Sequence, residues 1–202
     1  MAVKLPGKIA SVTTVASPHL GAYIADFLLK RTGTWTKAVA EAFLKALAPK
    51  VYGDPANDTS IKASLEFMET KSVQKFNAAY PNQAGVAYYS IGGRSDKHDG
   101  GSTCKAPMAP AFISKYDKVK DPIEPLLYLT AKVLQESFMN PKSNDGVIQT
   151  WSTVWGTWLG CIPADHFDQV GHLFGDSPGS GNTFNHVTFY RELVGWLKKQ
   201  GY

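Results

Sequence analysis

The stretch Ile9-Ala-Ser-Val-Thr-Thr-Val-Ala-Ser-Pro-His-Leu-Gly21 decides the fold of this chain. Its first eight residues are rich in β-branched side chains, which is typical of a buried strand, and Ser17-Pro-His-Leu-Gly21 has the composition of the loop that follows. The segment Gly85 to Ile91 has the same character and predicts a second strand, which we expect Gly92-Gly93 to stop. A third, short strand is predicted around Val147.

Helical segments alternate with these strands. They are predicted at Tyr23 to Leu29, Thr36 to Ala48, Thr59 to Tyr80, Asp121 to Met139, Asp165 to Phe174 and Phe184 to Lys199, and a loop is predicted from Arg94 to Ala111. The alternation predicts an α/β layered fold with a mostly parallel sheet, in a single domain covering residues 1–202. Because only three strands are predicted, where such a sheet usually has about five or more, we expect the sheet to be incomplete.

The composition narrows the class of protein. Of 202 residues, 44% are hydrophobic and 19% are charged, which is the balance of a folded globular domain. The net charge of +4 is scattered, and mixed stretches such as Lys115 to Lys120 predict a solvated face, so we expect no nucleic-acid partner. No apolar run approaches the roughly 18 residues that cross a membrane, and the first residues do not form a signal peptide.

Cys104 and Cys161 are the two cysteines, and both lie in sequence that is typical of loops. A single disulfide between loops of an exported protein and a pair of free thiols fit this pattern equally well. The sequence leaves both alternatives open.

Polar segments follow the predicted strands at three places: Ser17 to Gly21, Asn144-Asp-Gly146 and Pro163-Ala-Asp-His-Phe-Asp168. Catalytic groups of parallel α/β sheets gather at the carboxyl ends of strands. Asp145 followed by His166 is the order of acid and base at the end of an α/β-hydrolase, where the Asp orients the imidazole and the His takes a proton from a serine. The plainer interpretations are an ordinary Asn-Asp-Gly turn and a structural histidine.

The same segments resemble those of secreted bacterial triacylglycerol lipases of the Pseudomonas/Burkholderia type, which belong to the α/β-hydrolase superfamily. Ile9 to Gly21 resembles the strand and loop after the nucleophile helix of that family. Lys75-Phe-Asn-Ala-Ala-Tyr-Pro81 and Val86 to Ser90 resemble the approach to its next strand. Ser143 to Val147 and Asp165 to Val170 resemble its catalytic-acid and catalytic-histidine segments, and the matches run in order over essentially the whole chain.

This resemblance implies a hydrolase of carboxylic esters such as acyl glycerides, with Asp145 and His166 as the acid and base of a Ser-His-Asp triad. It implies that His19 lines the floor of the acyl pocket, although a hydrogen-bonded structural histidine is the equal alternative. Residues 22–80 fall where the family has a mobile helical lid or cap that contacts a lipid interface, and an ordinary packed helix is the alternative there. The family also implies export from the cell.

The Gly-x-Ser-x-Gly nucleophile elbow is the main departure from the family. The family has it one helix before the strand that begins here at Ile9, and the residues before Ile9 do not contain it. Gly175-Asp-Ser-Pro-Gly179 spells the same pattern but comes after His166 and after no strand, so a surface turn is favoured over Ser177 as nucleophile. Two functions therefore stay open: an ester hydrolase, or a catalytically inactive, truncated or lipid-binding remnant.

The calcium site of the family is retained only in part. Asp168 keeps the position of one calcium ligand, but the second aspartate of the family aligns with apolar Leu127, and His172 stands where an amide oxygen is expected. Asp168 and His172 are also too few to bind a softer metal. The sequence therefore leaves Asp168 as a weak candidate ligand for calcium and assigns no metal ion or other cofactor.

The strand Ile9 to Val15 should lie centrally in the sheet of such a family. Without its upstream neighbours, it would expose unpaired backbone groups. We therefore expect this edge to pair, either with a second copy of the chain or with an upstream fragment.

Overall fold

The computed structural model describes residues 7–30, 58–95, 104–136, 142–171 and 182–202. The strands in these ranges are β1 (Ser11–Val15), β2 (Ala87–Arg94) and β3 (Thr157–Pro163). The α-helices are α1 (Tyr23–Lys30), α2 (Asp58–Met68), α3 (Thr70–Ala79), α4 (Ala111–Ser114), α5 (Tyr128–Leu134) and α6 (His186–Lys199). Short 3-10 helices cover Pro125–Leu127, Thr150–Thr153 and Asp168–Val170.

The three strands form one parallel sheet in the order β1-β2-β3. The ladder between β1 and β2 pairs Ser11 with Ala87 and ends with Val15 opposite Ile91. Parallel neighbours need crossover connections, and α1, α2 and α3 lie in the first of them. The predicted α/β fold with a parallel sheet is confirmed, and β1, α1 and α6 lie where the sequence predicts them.

β3 differs most from the sequence prediction, which treated the residues around Cys161 as a loop. The strand runs Thr-Trp-Leu-Gly-Cys-Ile-Pro, and its last five residues are buried. Gly160 has a φ of +110°, and a Cβ there would lie 3.1 Å from the carbonyl oxygen of Cys104. This glycine, which made the segment look irregular, is needed because a neighbouring loop packs directly on the strand.

Val147 is not in a strand, so that prediction is wrong. An isolated antiparallel bridge joins Asn144 to Gln149, and the residues between them form a tight turn. The backbone N–H of Asp145 donates to the carbonyl of Ile148 at 3.1 Å, which closes the turn.

Gly92-Gly93 does not stop β2, which continues through both glycines to Arg94. Gly92 pairs with Cys161 in the ladder to β3. A Cβ on Gly92 would lie 2.8 Å from the Trp158 ring and 2.9 Å from the Thr153 hydroxyl. The glycines are therefore places of close packing within the strand.

The predicted helix from Thr59 to Tyr80 is divided into α2 and α3 at Glu69, whose φ and ψ of −57° and 141° are extended. The Met68 carbonyl accepts a hydrogen bond of 2.8 Å from the backbone N–H of Ala22. Gly21 lies so close to Thr70 that a Cβ on the glycine would collide with its backbone. The loop after β1 therefore packs against the chain where the helix is interrupted, and the Met68 carbonyl bonds to that loop and not to a later turn of the helix.

The predicted helix from Asp121 to Met139 is shorter in the structure. Residues 121–124 are not helical. Glu124 precedes Pro125, which disfavours the helical conformation, and its φ and ψ of −64° and 143° are extended. Its N–H donates to the Asp165 carboxylate at 3.0 Å. A 3-10 turn then leads into α5, which ends at Leu134, and Glu136 adopts a left-handed φ of 57°.

Two apolar clusters stabilise the layers. One contains α1 residues such as Ile24 together with Leu127 and Ile148. The other places Ile91 and Ile162 of the sheet with Phe189 of α6. No helix in the described ranges has the length and apolarity needed to span a bilayer.

Several predictions fall outside the described residues. They are the helix from Thr36 to Ala48, the Gly175 to Gly179 pattern with Ser177, and His172. Of the predicted lid or cap at 22–80, the described parts form α1, α2 and α3.

Candidate active site

The turn that follows α5 presents the Asp145 carboxylate. Asn144 Oδ1 accepts the N–H of Gly146 at 2.9 Å, which is a local turn hydrogen bond of the kind that Asn favours. Asp145 Oδ1 accepts the N–H groups of Val147 at 2.9 Å and Ile148 at 2.6 Å. Thus Asn-Asp-Gly is indeed a turn, and the turn itself fixes the orientation of the carboxylate.

His166 follows β3 and contacts Asp145 in two ways. Its backbone N–H donates to the Asp145 carbonyl at 2.8 Å, and its Nδ1 lies 2.9 Å from Asp145 Oδ2. The side chain of Asp145 is 1% exposed and that of His166 is 31% exposed. Because the carboxylate engages Nδ1, the other ring nitrogen, Nε2, is the one left to exchange a proton with a substrate or nucleophile.

The electrostatics of this pair favour a carboxylate beside a basic imidazole. Burial by itself raises the pKa of Asp145, but the charge and hydrogen bond of His166 and the N–H groups of Ile148 and Val147 bring that pKa below its ordinary value. Burial lowers the pKa of His166, but the Asp145 charge and hydrogen bond, and then the Asp165 charge, bring it above its ordinary value. A histidine in this state can act as a general base.

The structure therefore brings Asp145 and His166 together, while their catalytic roles stay a prediction. It also reveals Gln169, which sequence analysis missed. The Gln169 amide donates to Asp145 Oδ2 at 2.9 Å. The only signal in the sequence was its position one turn after His166.

His19 lies in the loop after β1. Its Nε2 is 2.9 Å from the Thr14 hydroxyl, and its ring stacks on Trp155 with 4.3 Å between ring centroids. Its carbonyl accepts the Asn77 amide at 2.7 Å. None of these contacts involves the acid or the base, so the geometry favours the structural interpretation, and a role in substrate binding stays a prediction.

Burial lowers the pKa of His19 from 6.5 to about 4, so the folded protein holds this ring neutral at pH values where the unfolded chain protonates it. The resulting contribution to stability is complete above pH 6.5 and is lost as the pH falls towards 4. We expect the melting temperature of the wild type to fall more steeply over this interval than that of His19→Gln. Calorimetry at a series of pH values checks this, and parallel pH profiles for the two proteins would contradict it.

Asp165 and Asp168, which flank His166 in the sequence, form a cluster of three carboxylates with Asp121. Oxygens of Asp121, Asp165 and Asp168 are all within 4.8 Å of one another, and all three residues are buried. Burial, with the charge of neighbouring carboxylates, raises the pKa of Asp121 to about 7 and that of Asp168 to about 8.

The hydrogen bonds of this carboxylate cluster (Asp121, Asp165 and Asp168) leave one oxygen unsatisfied. Asp165 Oδ1 accepts the N–H groups of Phe167 at 2.9 Å and Asp168 at 3.1 Å. Asp121 Oδ1 accepts the Asn182 amide at 2.9 Å, but Asp121 Oδ2 is buried and has no hydrogen-bond partner. An all-oxygen donor set with an unpartnered carboxylate oxygen suits a calcium ion.

The structure places Leu127 and Asp121 differently with respect to Asp168. Leu127 is fully buried in an apolar cluster, where it is unable to reach a cation. Asp121, which is distant from His166 in the sequence, lies beside Asp168 instead.

The sequence of this chain is similar to those of known bacterial lipases. No family model matches the chain. A triacylglycerol lipase of Pseudarthrobacter phenanthrenivorans is 26% identical over 229 residues, an alignment that takes in 100% of this chain and 70% of that lipase. A triacylglycerol lipase of Burkholderia plantarii is also 26% identical, with 100% of this chain and 62% of that lipase covered. This chain is a homologue of bacterial triacylglycerol lipases.

The solved structures agree with this lipase relationship at the level of the fold. A metagenomic carboxyl esterase, MGS0156, superposes with a TM-score of 0.56 at 16% identity, over 98% of this chain and 50% of the esterase. The lipase homologue therefore has the α/β-hydrolase fold, and it spans between about half and 70% of the length of these relatives. Among its described residues, no serine hydroxyl is hydrogen-bonded to His166.

Proposed function

We propose that this chain carries the acid and base of a carboxylic ester hydrolase of the lipase type. The observation that carries the proposal is the contact of 2.9 Å between Asp145 Oδ2 and His166 Nδ1, which joins a buried carboxylate to a partly exposed imidazole. The lipase relatives support an acyl glyceride or a similar ester as the substrate.

The chemistry is acyl transfer. His166 Nε2 takes the proton of a serine hydroxyl as the serine oxygen attacks the ester carbonyl, and then gives that proton to the departing alcohol. Water repeats the sequence on the acyl-enzyme and releases the carboxylic acid. Asp145 stays ionised and holds His166 in the tautomer that leaves Nε2 basic. Ser177 is the candidate nucleophile that the sequence offers within this chain, and it is included in the test below.

Hydrolysis of p-nitrophenyl esters tests the proposal. The wild type is compared with His166→Ala, Ser177→Ala and the matched control His186→Ala, which removes a histidine from the start of α6. Loss of activity in His166→Ala but not in His186→Ala supports the proposed base, and Ser177→Ala then shows whether that serine is the nucleophile. Equal rates for the wild type and His166→Ala would overturn the proposal.

The lid or cap proposed at residues 22–80 includes an exposed aromatic face. Phe67, Phe76 and Tyr80 are 60%, 46% and 55% exposed, and neighbouring rings in this set lie 5.8 Å and 4.9 Å apart. Exposed aromatic groups of this kind support contact with a lipid interface. Long-chain esters presented as an emulsion, assayed beside dissolved short-chain esters, test whether the enzyme prefers an interface.

The resemblance of the sequence to secreted lipases also implies a calcium ion, which Asp121 and Asp168 would hold with Asp165 beside them. A bound calcium ion would neutralise the cluster and fix the segment that carries His166. We expect calcium at saturating concentration to raise the melting temperature by about 5 to 10 °C over protein in a chelator.

Scanning calorimetry with calcium, magnesium or a chelator measures this shift. Asp168→Asn should abolish it, and the exposed control Asp117→Asn should keep it. An identical melting temperature with calcium and with chelator in the wild type would contradict the calcium site.

A second candidate function is a non-catalytic lipase-like domain that pairs through the strand Ile9 to Val15. The specific observation is that all five residues of β1 are only half-buried, and that in the described ranges β1 pairs with β2 alone. A parallel strand with one open edge offers backbone groups for pairing with a second copy or with an upstream fragment.

We expect the purified chain to be a dimer through this edge, and Val12→Lys to convert it to a monomer because an edge lysine disfavours strand addition. The matched control is Val187→Lys, because this valine is 54% exposed and lies on α6 and not on a strand. Size-exclusion chromatography with light scattering measures the mass. A monomeric wild type would rule out this pairing.

A further inference from the structure

Gln169 is a buried polar side chain that the proposed reaction does not use. It is 3% exposed and lies in the 3-10 helix Asp168–Val170, directly after the segment that carries His166. Its Nε2 donates to Asp145 Oδ2 at 2.9 Å and lies 3.4 Å from the Ala164 carbonyl. The oxygen that it contacts is the same one that lies 2.9 Å from His166 Nδ1.

The space for this amide is provided by Gly93 in β2. A Cβ on Gly93 would collide with Gln169 Nε2 and would lie 2.8 Å from the Ala164 carbonyl oxygen and 2.9 Å from Asp145 Cβ. The Gln169 amide therefore packs against bare strand backbone and reaches the carboxylate from that side. The absence of a side chain at Gly93 leaves the space that the Gln169 amide occupies.

Together these contacts surround the Asp145 carboxylate with donors. Oδ1 is held by the N–H groups of Val147 and Ile148, and Oδ2 is held by His166 and Gln169. Without the Gln169 amide, Oδ2 would keep His166 as its only partner in this set. The carboxylate would then be free to rotate or to recruit water, and the imidazole that it orients would lose its alignment.

We propose that Gln169 is a positioning residue for the acid and base: it fixes Asp145 Oδ2 where the Nδ1–H of His166 meets it. This inference rests on the proposed function, because it assigns Gln169 a part in the same hydrolysis. Gln169 acts through Asp145, so its loss should lower kcat while KM for a small ester stays the same. A purely structural glutamine would affect stability but not the hydrogen bond between Asp145 and His166.

Gln149 provides a matched control for that distinction. It is also fully buried, and its Nε2 donates to the Leu134 carbonyl and to the Glu136 carboxylate, each at 2.6 Å. Replacing it removes the same kind of buried amide from the same region of the fold without removing a donor from Asp145.

The experiment compares Gln169→Met, which keeps the length of the side chain without a donor, with Gln149→Met. Steady-state kinetics on p-nitrophenyl butyrate are combined with proton NMR of the low-field Nδ1–H resonance, assigned by its absence in His166→Ala. We expect Gln169→Met to lower kcat by about tenfold to a hundredfold at constant KM, and to shift or broaden that resonance. Gln149→Met should leave the resonance and kcat unchanged.

An unaltered resonance or an unaltered kcat in Gln169→Met would overturn the proposal, as would an equal effect of Gln149→Met. If Gln169→Met does not fold, Gln169→Asn keeps an amide one methylene short of the carboxylate, and the same readouts apply. An inactive wild type would instead count against the proposed hydrolysis. The NMR comparison still decides whether Gln169 positions the pair, so the two failures are distinguishable.

Discussion

Asp145→Asn should lower kcat for ester hydrolysis by about ten-thousandfold, the scale expected when the orienting carboxylate of a triad is replaced by an amide. The reason lies in the surroundings of the side chain. His166 and Gln169 lie beside one carboxylate oxygen, and the N–H groups of Val147 and Ile148 lie beside the other. In either orientation, the NH₂ group of an asparagine would face donors, unless His166 changes to the unproductive tautomer.

The same donor conflict should destabilise the fold. A buried NH₂ group without an acceptor costs about 1 to 3 kcal/mol, so urea unfolding of Asp145→Asn should show a loss of that size. The matched control is Asp26→Asn on α1. Asp26 is 17% exposed and pairs with Lys30, which is 51% exposed, and pairs that solvent reaches contribute less than about 1 kcal/mol. Wild-type activity in Asp145→Asn would exclude Asp145 as the acid of the site.

Reduction of the disulfide should produce the largest change in stability. The structure settles the open pairing in favour of a disulfide between Cys104 and Cys161, which closes a loop with a sequence separation of 57 residues. The loop-closure entropy that such a crosslink removes from the unfolded chain corresponds to about 4 kcal/mol. For a chain of this length, that loss lowers the melting temperature by about 8 to 16 °C.

Thermal unfolding with and without a reductant measures this effect, with thiol titration to verify that both cysteines have been released. The double variant Cys104→Ser, Cys161→Ser should already melt at the lower temperature and should not respond to the reductant. An unchanged melting temperature in fully reduced wild type would contradict the prediction.

Local patterns predicted the elements whose ends are set by their own residues. β1 is a compact β-branched run, and α6 begins after Asn185, whose side chain accepts the N–H of Thr188 as a helix cap. β3 was missed because Gly160 and the following Cys161 and Pro163 have the composition of a loop. Only the packing of another segment against the strand explains why a glycine is required there.

The candidate site shows the same division between local and long-range information. The order of Asp145 and His166 in the chain, together with the resemblance to lipases, predicted that they meet, although Asp145 follows α5 and not a strand. Asp121 and Gln169 were not predicted, because each reaches its partners through tertiary contacts that leave no periodic signal. The division of the helix at Glu69 is a further case, since it depends on the loop after β1.

Gly93 has a consequence for how this sequence can vary. It carries no reactive group, yet even one methyl group there would displace the Gln169 amide and press on Asp145. In a mutational scan scored on ester hydrolysis, we would therefore look for intolerance at this position comparable to that of the acid and the base. A glycine of this kind is easily taken for a spacer, although natural selection would be acting here on the absence of a side chain.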